Sequence, residues 1–309
     1  MGRENRTPLD ELRLATLCDK VTFRTRFAPS PTGPLHLGHA YSALLAYDMA
    51  QAEGGQFLPR IEDIDSTRSR PEWEAQIYDD LRWLGITWDG PVMRQSDRPD
   101  SYRSGLDHLW SMGMLYPCTC TRRDIDAALS APQEGVEITY GPDGPVYPGT
   151  CRHETARSGQ RPDGVLRLDM RAAMKRLALP IQFTELGAGP HGETGHCTSS
   201  DPVQTIGDIV LSRKDFLGSY HLSVVLDDAA QAITHVVRGQ DLFEATQIHV
   251  ILQRLLDLPT PTYHHHRLIR DDQGKRLAKR DDARALAKYR AEGVTPAQIR
   301  AMVGLPTAA

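Results

Sequence analysis

The apolar positions of the first hundred residues predict strands and helices in alternating order. Residues 21–27 form a strand-like run, and the apolar residues that follow His36 recur about every 3.6 positions, which indicates a helix. Residues 56–61 then predict a buried strand, and Pro71 suits the first position of a second helix. This order of elements is typical of a parallel α/β unit. We therefore predict an α/β fold with a parallel sheet.

The rest of the chain shows three further patterns. Glycine, proline and polar residues are frequent within 105–213, which predicts an insertion between two halves of the fold; its stretch around 187–202 is expected to be a surface loop. Alternating apolar positions over 220–238 predict strands, and the spacing over 241–256 predicts a helix. Residues 267–270 also resemble a strand.

These patterns predict five segments along the chain. They are an N-terminal extension (1–20), the first half of the α/β domain (21–104), an insertion subdomain (105–213), the second half of the α/β domain (214–270), and a basic loop with a helical C-terminal remnant (271–309). The polar N-terminal extension is expected either to form a short helix or to be unstructured.

The composition of the 309 residues is that of an ordinary globular protein, because 40% are hydrophobic and 25% are charged. The formal net charge of -4 gives no overall basic signature for nucleic acid, although a local basic face would be enough to bind RNA. No apolar run is long enough to cross a bilayer, and the N-terminus lacks the apolar core of a signal peptide. We therefore expect a cytoplasmic protein with no membrane partner. We also expect a monomer.

Two histidines mark the turn between the first strand and the first helix. Gly38 lies between His36 and His39, and glycine allows the backbone to approach a ligand closely. The start of a helix offers unpaired N–H groups and a positive dipole, which suit a phosphate. Two imidazoles at this place add hydrogen-bond donors for a triphosphate. The turn therefore predicts a nucleotide site.

A basic segment, residues 274–280, lies far downstream of this turn. On its own, such a cluster is as often a solvated loop as a functional one. A mobile basic loop near a nucleotide site can, however, neutralise the phosphates of departing pyrophosphate. Together with the two histidines, the segment predicts ATP-dependent chemistry in which pyrophosphate leaves.

The two-histidine turn and the basic loop resemble the signature motifs of class I aminoacyl-tRNA synthetases. The turn is similar to their HIGH motif, and the loop is similar to their KMSKS motif. Arg276 and Ala278 depart from the first lysine and the serine of that motif. The resemblance assigns catalysis to His36, His39 and Lys279, and ATP binding to the same three residues and Gly38.

Within that class, the chain resembles the glutamyl group. The resemblance covers about residues 22–285 and implies a Rossmann-type parallel sheet that is split by the insertion. The chain ends soon after the basic loop, so we expect no anticodon-binding domain, as in shortened paralogues of glutamyl-tRNA synthetase. The segments that carry the similarity to the glutamyl group are 26–33, 60–65 and 237–242.

The resemblance to the shortened paralogues implies a two-step reaction. L-Glutamate is activated with ATP and Mg2+ in the absence of tRNA, and the glutamyl group then passes to queuosine in the anticodon loop of tRNA(Asp). Three other functions stay open at this point. They are a truncated glutamyl-tRNA synthetase that charges a tRNA 3′ end, a nucleotidyltransferase of the wider group with the two-histidine turn, and a non-catalytic tRNA-binding paralogue, which the altered Arg276 and Ala278 favour.

A glutamate site must neutralise two carboxylates and one ammonium group. Arg26 and Arg238 suit bidentate contacts with carboxylates, and Glu62 suits the ammonium group. Tyr220 offers a hydroxyl, although each of these residues alone could be an ordinary surface or core residue. The resemblance implies that all four bind glutamate, together with the segment Arg26, Phe27, Ala28, Pro29 and Ser30. His221 departs from the asparagine expected after the tyrosine.

Three cysteines form a candidate metal site in the insertion. The close pair Cys118 and Cys120 and the more distant Cys151 can hold zinc tetrahedrally if one further ligand joins them, and three free cysteines are the simpler alternative. The alternatives for the further ligand are Tyr147, Tyr140 and His153. The resemblance implies one structural Zn2+ per chain, held by Cys118, Cys120, Tyr147 and Cys151. The histidine run 264–266 alternates faces on an extended chain and is not expected to bind metal.

Overall fold

The structure is a computed structural model that describes residues 6–306 apart from 19–21, 131–137, 153–156, 158, 179, 200 and 271–283. Lys279, Arg276 and Ala278 therefore lie outside the described residues. The helices are α1 (Pro8–Cys18), α2 (Leu37–Ala52), α3 (Pro71–Trp83), α4 (Pro99–Ser111), α5 (Arg122–Ser130), α6 (Met170–Leu177), α7 (Pro202–Thr205), α8 (Tyr220–Ala230), α9 (Thr246–Leu255), α10 (Leu286–Ala291) and α11 (Pro296–Met302). The strands are β1 (Arg24–Phe27), β2 (Gln56–Ile61), β3 (Met93–Arg94), β4 (Leu115–Pro117), β5 (Tyr140–Gly141), β6 (Gly144–Pro145), β7 (Leu166–Leu168), β8 (Gln182–Glu185), β9 (Gly195–Thr198), β10 (Val210–Ser212), β11 (His235–Gly239) and β12 (Thr262–His266).

Parallel strands form the centre of the fold. β1 pairs with β2 and β2 with β3, while β11 pairs with β12 and β12 with β8, all in parallel. The N–H of Thr234, just before β11, donates to the carbonyl of Arg24 over 3.1 Å, and the side chain of Arg26 reaches the carbonyl of Val237. β11 therefore lies beside β1, and the carboxyl ends of β1, β2 and β11 meet at one edge. The predicted α/β fold with parallel strands is confirmed.

Two smaller β units lie outside this arrangement, and both come from the segment predicted as an insertion. β10, β7 and β4 form an antiparallel sheet, and β5 and β6 form a hairpin. β8, from the same segment, instead pairs with β12 of the central strands, and β9 pairs antiparallel with β8. The surface loop expected around 187–202 is therefore a strand at 195–198. The insertion boundaries at 105 and 213 stay a prediction.

The helix after the first strand begins where the sequence predicts it. Nδ1 of His36 accepts from the N–H of Gly38 over 3.1 Å, and the N–H of His36 donates to Nδ1 of His39 over 3.1 Å. The two histidines thus close the first turn of α2 as a reciprocal cap. The buried side of α2 consists of Leu44 and alanines, so the helix packs closely against β1 and β2.

The segment from Tyr220, predicted as a strand, is a helix. α8 starts there because the hydroxyl of Ser219 accepts from the N–H of Leu222 over 3.4 Å, which caps the helix. His221–Ala229 are all buried, so the helix has no polar face, and its apolar residues show no helical period. The strand of this region is β11.

The strand predicted over 267–270 is also wrong, because β12 ends at His266. Its partner β11 ends at Gly239, which pairs with His266, so the ladder stops there. The predicted helix over 241–256 is confirmed as α9, after a short 3-10 turn at Gln240–Leu242. The predicted α2, β2 and α3 are confirmed, and the N-terminal extension contains α1. Among the described residues, no helix combines the length and apolar character needed to cross a membrane.

Candidate active site

A cavity of about 490 Å3 opens at the carboxyl ends of β1, β2 and β11. Its wall includes the segment after β1, the first turn of α2 and the first residue of α8. Except for Lys279, which lies outside the described residues, every residue predicted to bind glutamate or ATP lines it: Arg26, Phe27, Ala28, Pro29, Ser30, His36, Gly38, His39, Glu62, Tyr220 and Arg238. Segments that are far apart in the sequence therefore converge on one place.

His36 and His39 stand side by side at the start of α2, with ring centroids 3.8 Å apart. Nδ1 of each ring accepts a backbone N–H, so the proton of a neutral ring lies on Nε2. An imidazole N–H and the positive end of a helix both favour a bound anion. This wall of the cavity can therefore hold phosphate groups.

A buried network of charges anchors Arg26 and Glu62. Asp228 of α8 accepts from Nε of Arg26 over 3.1 Å and from Nη1 of Arg60 over 2.6 Å. Nη2 of Arg60 also donates to Glu62 over 3.2 Å. Burial alone would raise the pKa of Asp228, but the two guanidiniums outweigh it and hold this pKa below its usual range. Asp228 is therefore a carboxylate that two arginines share.

The carboxyl of Glu62 responds differently to the same surroundings. Burial raises its pKa, and the opposing charges of Arg60 and Arg26 do not cancel this effect. A cation that binds beside Glu62 would favour the carboxylate and lower the pKa again. Since Glu62 lines the cavity, it is suited to an ammonium group there.

Arg238 lies on β11 and is 5% exposed. Its guanidinium donates to Nε2 of His265 over 3.0 Å, to Nδ1 of His249 over 3.1 Å and to the hydroxyl of Thr246 over 2.8 Å. Burial, together with the positive charge of Arg238, lowers the pKa of His249 well below its usual value. Burial also lowers the pKa of His265. Both imidazoles are therefore neutral acceptors for Arg238.

Tyr220, which begins α8, adds a hydroxyl to the cavity. Burial raises the pKa of this phenol, so it stays protonated and can donate a hydrogen bond. Together with Arg26, Arg238 and Glu62, it offers two cations, one anion and one neutral donor beside the phosphate wall. The cavity can therefore hold a small molecule with two acidic groups and one ammonium group next to a nucleotide.

The predicted cysteine cluster forms outside this cavity. Sγ of Cys118, Cys120 and Cys151 all lie within 4.8 Å of one another. The hydroxyl of Tyr147 is 3.5 Å from Sγ of Cys118 and 3.2 Å from Sγ of Cys120. Three sulfurs and one oxygen so close together fit a closed tetrahedral zinc site. Tyr140 is 70% exposed, so the geometry favours Tyr147 over Tyr140, while His153 lies outside the described residues.

Two of the three thiols are perturbed in opposite directions. Burial raises the pKa of Cys120 to about 11. Burial also disfavours the thiolate of Cys151, but hydrogen bonds from Tyr147 and Thr119 outweigh it and lower the pKa of Cys151 to about 6. A metal ligand must be a thiolate, and the lowered pKa of Cys151 favours that form.

Several residues that shape the cavity were missed by the sequence reasoning. The anchors of Arg26 and Arg238 come from other elements, and no motif marks them. The one available signal is chemical: Asp228 and His249 are polar residues within apolar runs, and a buried polar group needs a partner. The missed residues are Glu185, Asp228, Thr246, His249 and His265; Arg60 lies in the segment 60–65, but no role was predicted for it.

Comparison with known proteins identifies the family of this chain. The family described as tRNA synthetases class I (E and Q), catalytic domain, matches residues 22–307. A glutamyl-Q tRNA(Asp) synthetase of Rhodobacter capsulatus is 62% identical over 283 residues, which cover 91% of this chain and 99% of the relative. A glutamyl-Q tRNA(Asp) synthetase of Symbiobacterium thermophilum is 43% identical, with 88% of this chain and 82% of the relative covered.

Solved structures show the same relationship. The crystal structure of a glutamate tRNA ligase from Elizabethkingia meningosepticum, in complex with its amino acid, matches with a TM-score of 0.66 and 30% identity. The match covers 84% of this chain and 52% of the ligase, so the chain spans about half the length of that structure. The resemblance to the glutamyl group of class I synthetases is thus confirmed. The chain belongs to the family of class I tRNA synthetases (E and Q), and it is an ATP-dependent ligase of the aminoacyl-tRNA synthetase type.

Proposed function

We propose that this enzyme activates L-glutamate with ATP in the absence of tRNA and then transfers the glutamyl group to queuosine in the anticodon loop of tRNA(Asp). One observation carries the proposal: Arg26, Glu62 and Arg238 converge beside the two-histidine turn. The cavity thus carries the charges that glutamate needs. Relatives named glutamyl-Q tRNA(Asp) synthetase support the choice of acceptor.

The four predicted glutamate ligands bind different groups of the substrate. Arg26 and Arg238 bind carboxylates through their positive charge and through the N–H groups that their described contacts leave available, of which Arg238 has one. Glu62 binds the ammonium group, and the hydroxyl of Tyr220 donates to an oxygen of the substrate. The segment that follows Arg26 also lines the cavity, through Phe27, Ala28, Pro29 and Ser30.

In the first step, a carboxylate oxygen of glutamate attacks the α-phosphorus of ATP. A new O–P bond forms, the P–O bond to pyrophosphate breaks, and glutamyl-adenylate results. His36 and His39 donate from Nε2 to the phosphates, and Lys279 stabilises the charge of the leaving pyrophosphate. Mg2+ bound with ATP would neutralise part of the phosphate charge. In the second step, the acceptor on the tRNA attacks the activated carbonyl carbon, and AMP leaves.

The remaining features fit this function. One zinc ion would be held by Cys118, Cys120, Tyr147 and Cys151, and its role would be structural, because four protein ligands leave no position open for a substrate. We expect the active species to be a monomer. Because tRNA is the acceptor, the enzyme acts in the cytoplasm.

The first experiment measures pyrophosphate exchange into ATP with glutamate and without tRNA. Glutamate-dependent exchange in the wild-type enzyme, and its loss in Arg238→Ala, support the first step. Exchange that requires tRNA would contradict it. Asp126→Ala, an exposed aspartate on α5, is a matched control and is expected to behave as wild type.

The second experiment measures transfer of radiolabelled glutamate to tRNA from cells that make queuosine and from cells that do not. The proposal predicts label only on the first preparation, in nuclease fragments of the anticodon loop. Equal labelling of both preparations, with the label on the 3′-terminal nucleotide, would instead identify a truncated synthetase. Binding of tRNA without any labelling would identify a non-catalytic paralogue.

A further inference from the structure

The guanidinium of Arg238 has two imidazoles as partners. Nε of Arg238 donates to Nε2 of His265 over 3.0 Å, and Nη1 is 3.1 Å from Nδ1 of His249. Nη2 donates to the hydroxyl of Thr246 and to the carbonyl of Leu242. His249 and His265 are each 1% exposed. The proposed carboxylate ligand is therefore fixed from behind by buried, uncharged acceptors.

The direction of each hydrogen bond follows from the chemistry of arginine. A guanidinium has donors only, so His249 accepts through Nδ1 and His265 accepts through Nε2. The proton of His265 must then lie on Nδ1, which faces Oε2 of Glu185 over 2.5 Å. One relay therefore runs from Arg238 through His265 to the buried carboxylate of Glu185. Burial and hydrogen bonding act against each other on Glu185, and its pKa is lowered.

The second relay is longer and follows the same rule. The proton of His249 lies on Nε2, which faces Nδ1 of His221 over 3.0 Å. The proton of His221 then lies on Nε2, which faces Oδ1 of Asp143 over 2.8 Å. A proton added to any of these rings would place two N–H groups against each other or against Arg238. Both relays therefore require neutral imidazoles, and both end at a carboxylate.

Asp143 connects two parts of the fold through this relay. It lies in the turn between β5 and β6, four positions before Tyr147 of the cysteine cluster. His221 follows Tyr220 directly, so the hairpin contacts the start of α8 beside the cavity. This contact gives His221, which departs from the asparagine expected in the sequence, a partner on each ring nitrogen.

We propose that His249 and His265 are positioning residues that hold Arg238 for a substrate carboxylate, and that Glu185, His221 and Asp143 fix their tautomers. The proposal rests on the proposed function, in which Arg238 binds glutamate. A rigid guanidinium loses less freedom when the substrate binds, so the relays act on glutamate affinity. Because the relays act through Arg238, we expect no effect on nucleotide binding.

Pairs of amide substitutions separate this role from packing. The amide of asparagine falls near the place of Nδ1 of histidine, and that of glutamine near Nε2. His249→Asn therefore keeps an acceptor for Arg238, whereas His249→Gln keeps only the contact with His221. For His265 the order reverses, because Arg238 meets Nε2: His265→Gln keeps the acceptor, and His265→Asn loses it.

The assay is glutamate-dependent pyrophosphate exchange, with separate KM values for glutamate and ATP. We expect His249→Gln and His265→Asn to raise KM for glutamate about tenfold or more, as expected for a lost hydrogen bond to a charged group. His249→Asn and His265→Gln should stay within about threefold of wild type, since their charged hydrogen bond remains. KM for ATP should not change in any of the four variants.

Asp143→Ala tests the outer end of the longer relay at an exposed position. We expect KM for glutamate to rise a few-fold with an unchanged melting temperature, while the Asp126→Ala control leaves both unchanged. Equal effects within each amide pair, or a parallel rise of KM for ATP, would overturn the proposal. If the wild-type enzyme shows no glutamate-dependent exchange, the proposed function itself fails, and this result is distinct from a missing difference between the paired variants.

Discussion

Asp228 is the residue at which removal of one charge should cost most. It is 5% exposed and accepts from both Arg26 and Arg60, which are 5% and 0% exposed. Asp228→Asn keeps the size of the side chain and one acceptor oxygen but removes the negative charge. Two buried guanidiniums then share a neutral amide, while Glu62 still contacts Arg60 over 3.2 Å.

The expected loss in the free energy of unfolding is large compared with the total stability of a domain. Breaking a buried ion pair by removing one partner costs about 3–5 kcal/mol, because it leaves a buried charge uncompensated. The remaining acceptor of asparagine and the contact with Glu62 reduce this cost. We therefore expect Asp228→Asn to lower the free energy of unfolding by about 3 kcal/mol at pH 7.

The loss should also depend on pH in a defined direction. The pKa of Asp228 is lower in the folded protein than in the unfolded chain. Its carboxylate therefore stabilises the fold above the unfolded pKa, and this contribution is lost as the pH falls through the folded pKa. The difference between wild type and variant should be complete at pH 7 and should shrink below about pH 4.

An exposed ion pair of the same length provides the control. Asp100 accepts from Arg103 over 2.6 Å, equal to the distance between Asp228 and Arg60, but its side chain is 79% exposed. Asp100→Asn should change the free energy of unfolding by less than about 1 kcal/mol, since exposed pairs contribute little. Urea unfolding followed by far-UV circular dichroism measures both variants. Equal losses in the two variants would refute the reasoning, because burial would then not decide the cost.

Three further predictions follow from the site and its surroundings. His39→Ala should lower kcat of pyrophosphate exchange by about 100-fold and leave KM for glutamate nearly unchanged, because it removes one donor to the charge that develops on the phosphates. Asp80 is 2% exposed, and burial raises its pKa to about 6. Because its pKa in the unfolded chain is about 4, ionisation of Asp80 lowers the free energy of unfolding as the pH rises from about 4 through about 6. Asp80→Asn should therefore stabilise the protein by about 2 kcal/mol at pH 8 and not at pH 4, as urea unfolding at both pH values would show. Cys151→Ser should reduce the zinc content, measured by atomic absorption, from one ion per chain to nearly none, and lower the melting temperature.

Local signals explain which parts of the fold could be predicted. The starts of α2 and α3 were found because the helical period after His36 and Pro71 at the first helical position are local signals. The start of α8 was missed although Ser219 is also a cap, because alternating apolar residues suggested a strand. A helix that is buried on all sides has no polar face, and periodicity then carries no information. The cap at Ser219 was the only local signal.

The site was predictable only in its inner layer. Each residue that lines the cavity and was predicted belongs to a short motif, so the sequence could place it near the others. Asp228, His249 and His265 accept hydrogen bonds from the two arginines of the cavity. They lie on elements that only folding brings close to it. Their partners are distant in the sequence, and a single sequence does not reveal such pairs. The role of Lys279 stays a prediction, because it lies outside the described residues.

The surroundings of the two arginines in the cavity differ in one respect that should decide which of them binds substrate more strongly. Arg26 shares the carboxylate of Asp228, which neutralises part of its positive charge. The acceptors around Arg238 are two neutral imidazoles, a hydroxyl and a carbonyl, so its charge remains available to a substrate. We therefore expect KM for glutamate to be about tenfold higher in Arg238→Gln than in Arg26→Gln, which corresponds to about 1.4 kcal/mol. A larger effect of Arg26→Gln, measured in the same exchange assay, would show that the proximity of an acid does not weaken an arginine in this cavity.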